Sequence, residues 1–352
     1  MYKKISVIEI ESTTACNSFC PGCIRYQPIG TKPFFKEKFP DLEPGLYRNS
    51  DTRINQHISL ENIRTIFESK VINTDEVFVD LIGTAGDPIA HPKIFEILQL
   101  IKKLNSNASF NIHTNAGLRT PKLFAQIGDF FKSTNTRYMF KFSIDGLEDT
   151  NHIYRRGVNW KKIIENAKAF IDAGGEATWQ FIEFPWNRHQ IKEAEQLARS
   201  MGFVGFEHRR GWVTDEEAYE QVESTNFGIF NKEIKKVDIN EPVPDSLYIK
   251  DDCFSKEGIF INPDGTVHPC CMFNAEFANP GESRRQLEVL YKNFKNNLNE
   301  NTLDEIMSEN FWLLLKNTLT DKPCDTCHRM CGVYEKDGKR WVNENIKAEL
   351  VL

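Results

Sequence analysis

The chain has 352 residues, enough for one large and one small domain, and Lys+Arg 44 against Asp+Glu 50 leaves a net charge of -6. That acidic balance supplies no overall positive field to hold nucleic acid or an anionic membrane. The apolar run at the start is broken by Glu9 and Glu11, so it is no signal peptide, and no apolar stretch reaches membrane-spanning length. Nine cysteines in such a chain point to metal or redox chemistry in the cytoplasm rather than to a disulfide framework.

Ile5 to Ile10 predicts a buried strand, and a loop with Cys16, Cys20 and Cys23 follows it at once. Residues 27–56 carry Pro, Lys, Phe and Gly without a clean period and predict an irregular excursion, a lid or a substrate wall. Ser59 caps a helix to about Lys70, and Glu76 to Ile82 is a second strand that ends in a turn through Gly83, Gly86, Asp87 and Pro88. Pro92 opens a helix with Ile94, Ile97, Leu98, Ile101 and Leu104 on one face, and Ser109 to Thr114 is the third strand. A helix from Thr120-Pro121 leads to a fourth strand, Tyr138 to Ile144, and then to Asp145-Gly146. The stripe Trp160, Ile163, Ile164, Ala167, Phe170 and Ile171 makes a helix stopped by Gly174, ahead of a fifth strand, Ala177 to Glu183. A helix from Asn187 to Met201 stops at Gly202, and a sixth strand, Phe203 to Glu207, leads into His208-Arg209-Arg210. Such alternation predicts an α/β fold with a parallel sheet and right-handed crossovers. Six units are too few for the closed eight-unit barrel, so an open sheet and a partial barrel both remain.

Residues 216–250 read as a connector, and a second module begins near Cys253. There Gly258 to Asn262 and Thr266 to His268 flank a Pro-Asp-Gly turn and predict a hairpin, with Cys270 at its end. Thr302 and Glu305 form a capping box ahead of a helix to about Leu319, Cys324, Cys327 and Cys331 follow, and residues 336–352 read as a mixed-charge tail.

Thiolates spaced CxxxCxxC on one loop suit three irons of a cubic iron–sulfur cluster and leave the fourth iron open to a small chelating ligand. A zinc knuckle or a redox pair are the alternatives, although zinc sites more often use CxxC pairs. The triad after a first strand resembles that of the radical S-adenosylmethionine (radical SAM) enzymes. The resemblance implies a partial (β/α)6 barrel over residues 1–215. It further implies a [4Fe–4S] cluster on Cys16, Cys20 and Cys23 whose open iron is chelated by SAM, fed by an electron donor such as flavodoxin or ferredoxin. SAM would then yield methionine and a 5′-deoxyadenosyl radical. By the same resemblance Gly86 and Asp87 stand where the family meets the SAM amino group, though Asp87 is a methylene shorter than the family's Glu. Asn115, Ser143 and Asp145 stand at the ribose and methionine contacts, and Arg156 near the SAM carboxylate, where a planar guanidinium fork suits two oxygens. Gly22 replaces the family's frequent aromatic residue, which leaves adenine stacking to another group such as Tyr26.

Cys253, Gly265, Cys270 and the later Cys324 and Cys327 resemble the auxiliary-cluster domain called Twitch, the shorter relative of SPASM. That implies a small C-terminal α+β domain over residues 251–335 with one fully ligated auxiliary [4Fe–4S] cluster, structural zinc being the alternative for the same four thiolates. Cys271 and Cys331 are left over, either as a substitute ligand, a hydrogen-atom donor or a bystander. The expected activity is oxidation of a small anionic metabolite, the anionic group being met by Arg209 or Arg210, of which strand geometry lets only one face the cavity. A radical SAM epimerase, a peptide-modifying maturase and a non-catalytic iron–sulfur or zinc carrier are the alternatives.

Overall fold

A computed structural model describes residues 4–20, 23, 55–83, 86–210, 248–249, 257–271, 273, 294–321, 327, 331–336 and 339–342. Cys253, Cys324, Gly22, Tyr26 and the 27–54 part of the expected excursion lie outside the described residues.

The six expected strands form as β1 (Val7–Ile10), β2 (Val77–Leu81), β3 (Ala108–Thr114), β4 (Tyr138–Ser143), β5 (Thr178–Glu183) and β6 (Gly205–Arg210). The helices between them are α1 (Leu60–Phe67), α2 (Ile94–Leu104), α3 (Pro121–Ser133), α4 (Asn151–Tyr154), α5 (Trp160–Asp172) and α6 (Ile191–Met201). Local chemistry sets several ends. The Ser59 side chain accepts from Asn62 N, that of Asn159 from Lys162 N, and Gly202 ends α6 in the left-handed region at φ 90°.

All six strands pair in parallel, in the order β6-β5-β4-β3-β2-β1, and the sheet stays open. The parallel array extends past β1, where the expected hairpin, β8 (Gly258–Ile261) and β9 (Val267–His268), pairs β8 parallel to β1 and β9 antiparallel to β8. The module that begins in sequence after the connector is thus built onto the strand that carries the first cysteine loop.

Three features differ from the sequence reading, the first being the short α4, which lies between the fourth strand and the Trp160 helix where no helix was expected. The helix after the Thr302 capping box is two helices, α7 (Leu303–Ser308) and α8 (Asn310–Asp321), separated at Glu309, whose backbone is extended at ψ 144°. The end of the auxiliary module and the mixed-charge tail carry strands: β10 (Gly332–Lys336) and β11 (Lys339–Val342) pair antiparallel, and β10 also pairs with β7 (Tyr248–Ile249) from the end of the connector. The Asp337-Gly338 dipeptide between them in sequence was the available signal, obscured by the charges around it.

The helix-side face of the sheet packs aromatic rings. Phe140 stacks on Phe170 with centroids 4.3 Å apart, Phe131 on Tyr138 at 4.2 Å, and Trp179 lies 5.5 Å from Phe203. Helices α3 and α5 approach closely at Gly128, where an added Cβ would press on the Phe170 carbonyl. Among the described residues no helix is long and apolar enough to cross a membrane.

Candidate functional site

The first cysteine loop leaves the C-terminal end of β1 and is pinned on three sides by main-chain bonds. Asp87 N donates to Ala15 O at 2.8 Å, Phe19 N to Arg156 O at 2.8 Å, and Thr14 N to Gln56 O at 3.0 Å. Gly86 stands where the turn after β2 meets this loop. Its N–H donates to Glu11 Oε1 at 3.0 Å, and a Cβ there would fall on the Thr13 carbonyl oxygen. Glycine is required by that approach.

Donors converge on the thiols. Cys16 Sγ accepts from Ser18 N and from Asn115 Nδ2, each at 3.4 Å, while the Ser18 hydroxyl lies 2.9 Å from Cys20 Sγ and Arg155 Nη1 3.7 Å from it. Cys23 N donates to Cys20 O at 3.1 Å, and both cysteines pack with Tyr154, Phe184 and Trp186. N–H donors and a guanidinium around partly sheltered sulfurs tune a bound iron–sulfur centre. Among the described residues no three His, Cys, Asp or Glu groups are placed to hold a single metal ion. The donor set fits a cluster, whose separate irons take separate thiolates.

The other expected SAM residues divide into lining and support. Asn115 reaches Cys16 through its amide and accepts from Gly117 N through Oδ1 at 2.7 Å. The Asp87 carboxylate is buried and takes bonds from Ile89 N, Thr114 Oγ1 and Asn115 N, so it ties the β2 and β3 turns together. Burial pushes its pKa up, against those hydrogen bonds. The Ser143 hydroxyl lies 3.4 Å from Gln180 Oε1. Asp145 is fully buried, accepts from Ile182 N at 2.7 Å and pairs with Arg155 Nε at 2.6 Å. Burial raises the Asp145 pKa and the Arg155 charge opposes that rise; burial works against the Arg155 charge, but Asp145 and Cys20 hold it firmly protonated. Arg156 donates from Nε to Ile153 O at 3.1 Å. The arginine that bridges Asp145 to the cysteine loop is Arg155, to which the sequence reading gave no role. The phase of the short α4 turn decides between the two.

Alternate residues of the strands turn away from the helices and build a polar concave face. Lys141 Nζ meets Glu207 Oε1 at 2.6 Å, and Arg209 Nη2 meets Glu207 Oε2 at 3.4 Å. Those bonds, chiefly the one from Lys141, hold the Glu207 pKa below its usual value against burial. Arg209 lies in register with Ile182, on the face of Glu207, and Arg210 alternates to the other face, in register with Glu183. His113, which the sequence reading assigned no role, is pushed down to about 4 by burial and by Lys141. The overlooked signal was the recurrence of polar residues, Asp80, Asn111, His113, Lys141 and Gln180, at positions alternating with the apolar core residues of β2 to β5.

In the second module Cys270 follows β9 and packs against the main core, and Cys327 is buried within that core. Cys271 donates its thiol hydrogen to the Glu9 carboxylate of β1. Cys331 immediately precedes β10.

The profile of the radical SAM superfamily matches residues 10–197, and that of SPASM, an iron-sulfur cluster-binding domain, matches residues 253–332. Comparison with curated proteins finds no match. Among solved structures, histidine-tagged anSMEcpe with bound AdoMet is 14% identical, covers 90% of this chain and 80% of its own, and superposes with a TM-score of 0.51. Native anSMEcpe with bound AdoMet and the Kp18Cys peptide is 14% identical, with coverages of 93% and 88% and a TM-score of 0.50. Streptococcus suis SuiB bound to S-adenosylmethionine is 16% identical, with coverages of 87% and 66% and a TM-score of 0.48. At these identities the first two likenesses speak for the fold. The chain belongs to the radical SAM superfamily, whose cofactors are a [4Fe–4S] cluster and S-adenosylmethionine, and carries a C-terminal SPASM domain for auxiliary iron–sulfur binding.

Proposed function

We propose that this radical SAM enzyme oxidises a small anionic metabolite by two electrons, with one SAM consumed per turnover. The supporting observation is the seat of two residues of the second cysteine set: Cys270 follows a hairpin that pairs directly with β1, and Cys327 is buried in the same core. When bound, the cofactors supply hydrogen-atom abstraction at the first site and an acceptor for the remaining electron at the second.

The chain's own residues hold and orient. Cys16, Cys20 and Cys23 would ligate the first cluster. Cys253, Cys270, Cys324 and Cys327 would ligate a single auxiliary cluster, with Cys331 as the substitute ligand. Gly86, Asn115, Ser143, Asp145 and Arg156 would line the SAM site, with Asp87 shaping its turn from within. Residues 1–215 would form the barrel, 216–250 the connector and 251–335 the auxiliary module. Lys141 and Arg209 set two cations against the one carboxylate of Glu207, which favours an anionic group near β6. Arg209, on the concave face, fits this role better than Arg210. A cytoplasmic flavodoxin or ferredoxin would supply the reducing electron.

One observation favours a second reading, epimerisation: the Cys271 thiol meets Glu9 on the concave face, where it could return a hydrogen atom. Peptide modification is the third, and a bound peptide is described for anSMEcpe.

Anaerobically reconstituted protein should hold about eight irons and cleave SAM when reduced, and the triple variant Cys16→Ala, Cys20→Ala, Cys23→Ala about four irons, without cleavage. A triple variant that still cleaves SAM overturns the assignment. With a deuterated substrate, oxidation moves the label into 5′-deoxyadenosine and gives a product two hydrogens lighter. Solvent deuterium at the abstracted carbon would decide for epimerisation instead.

A further inference from the structure

Three adjacent strands present Glu9, Asp80 and Asn111 in one row across the concave face. Glu9 of β1 is in register with Asp80 of β2, and Asp80 with Asn111 of β3. Asn111 Nδ2 donates to Asp80 Oδ1 at 3.2 Å, and since a carboxylate only accepts, this leaves the amide oxygen as the other end. Asn111 is 6% exposed, and its Oδ1 is buried without a hydrogen-bond partner. Such an atom costs free energy until a donor arrives.

The row itself contains no cation. The nearest cations of this face are committed elsewhere, Lys141 to Glu207 at 2.6 Å and Arg209 to the same carboxylate at 3.4 Å. Among the described residues neither Glu9 nor Asp80 forms an ion pair with a Lys, Arg or His; Lys141 acts on Asp80 only from a distance, Glu11, which accepts from Gly86, adjoins Glu9, and the Cys271 thiol bonds to Glu9. Burial, and then repulsion from Asp80, pushes Glu9 up to about 7; burial pushes Asp80 up to about 6 in spite of Asn111 and Lys141.

We propose that this row binds a protonated primary amine of the substrate. An ammonium group carries three N–H donors and one positive charge, which matches two carboxylates and one orphaned amide oxygen, and charge-assisted bonds of this kind are the strong ones. The amine site names the substrate class for the function proposed above and rests on that reading for the reaction alone.

The test is anaerobic calorimetry on full-length, cluster-loaded protein saturated with SAM, with cyclohexylamine and cyclohexanol as probes of one shape and different charge. The amine should bind about tenfold or more tightly than the alcohol, and Glu9→Gln or Asp80→Asn should each weaken the amine by about tenfold while leaving the alcohol unchanged. Asp80→Glu, which keeps the charge, should retain most of the affinity. Equal affinities of the two probes for the wild-type protein, or no binding of the amine, overturns the proposal without recourse to any variant. Variants that keep their full iron content and still bind the amine like wild type overturn it as well. SAM cleavage is measured on the same samples: loss of cleavage with amine binding intact would sink the radical reading and leave the amine site standing.

Discussion

The two faces of the same strands follow opposite rules. Toward the helices, Phe110, Phe140, Phe142, Trp179 and Phe181 are fully buried in one apolar core. Toward the concave side, the alternate positions carry Asp80, Asn111, His113, Lys141, Gln180 and Glu207, with Asn111 Oδ1 and His113 Nε2 buried without a hydrogen-bond partner. The first face supplies the stability of the sheet. The second holds polar groups at a cost, as a site kept for a ligand does, and that cost is borne by the first.

This contrast is breakable by single substitutions. The largest effect is expected on the helix side, where Phe140→Ala removes a ring stacked at 4.3 Å on Phe170. It should lower unfolding free energy by about 3–5 kcal/mol in a denaturant titration. Asp145→Ala comes next, at about 3 kcal/mol, because it leaves the buried Arg155 charge without its partner. A loss under about 1 kcal/mol, in the range of an exposed pair, would mean that the pair is far weaker than its burial implies.

On the concave side the sign should reverse. Glu9 has its pKa raised in the folded protein, from 4.5 to about 7, so the native state binds the proton more tightly than the unfolded chain does. Stability from that group is full below pH 4.5 and is lost as pH rises through about 7. Glu9→Gln should flatten this slope and make the ligand-free protein more stable at pH 8 by about 1–3 kcal/mol, read from thermal melts across pH. An unchanged pH slope would show that Glu9 is not held unfavourably. The smallest effect belongs to Arg209→Ala, whose side chain is 60% exposed: stability should change by no more than about 0.5 kcal/mol. A larger loss would mean that the Glu207 contacts support the fold itself.

Much of this architecture was legible beforehand because its signals are local. The β-branched run of β1, the stripes of α2 and α5, and the caps at Ser59 and Gly202 each act within a few residues, and the six strands and five helices expected before residue 211 form within about four residues of the expected bounds. The cysteine spacing is local too, since one loop must present Cys16, Cys20 and Cys23 together. The β10–β11 hairpin was missed because charges hid a weak alternation.

Residue order and spacing alone determined the α/β alternation, the first cysteine loop and the presence of a second cysteine module, since each depends on neighbours along the chain. Only the tertiary structure decided that Arg155 rather than Arg156 meets Asp145, that Asp87 turns inward, and that the second module continues the sheet past β1. It also brought Glu9, Asp80 and Asn111 into one row, from positions far apart in sequence. Such facts depend on strand register and helix phase, which arise when distant segments pack and leave no mark in the local pattern.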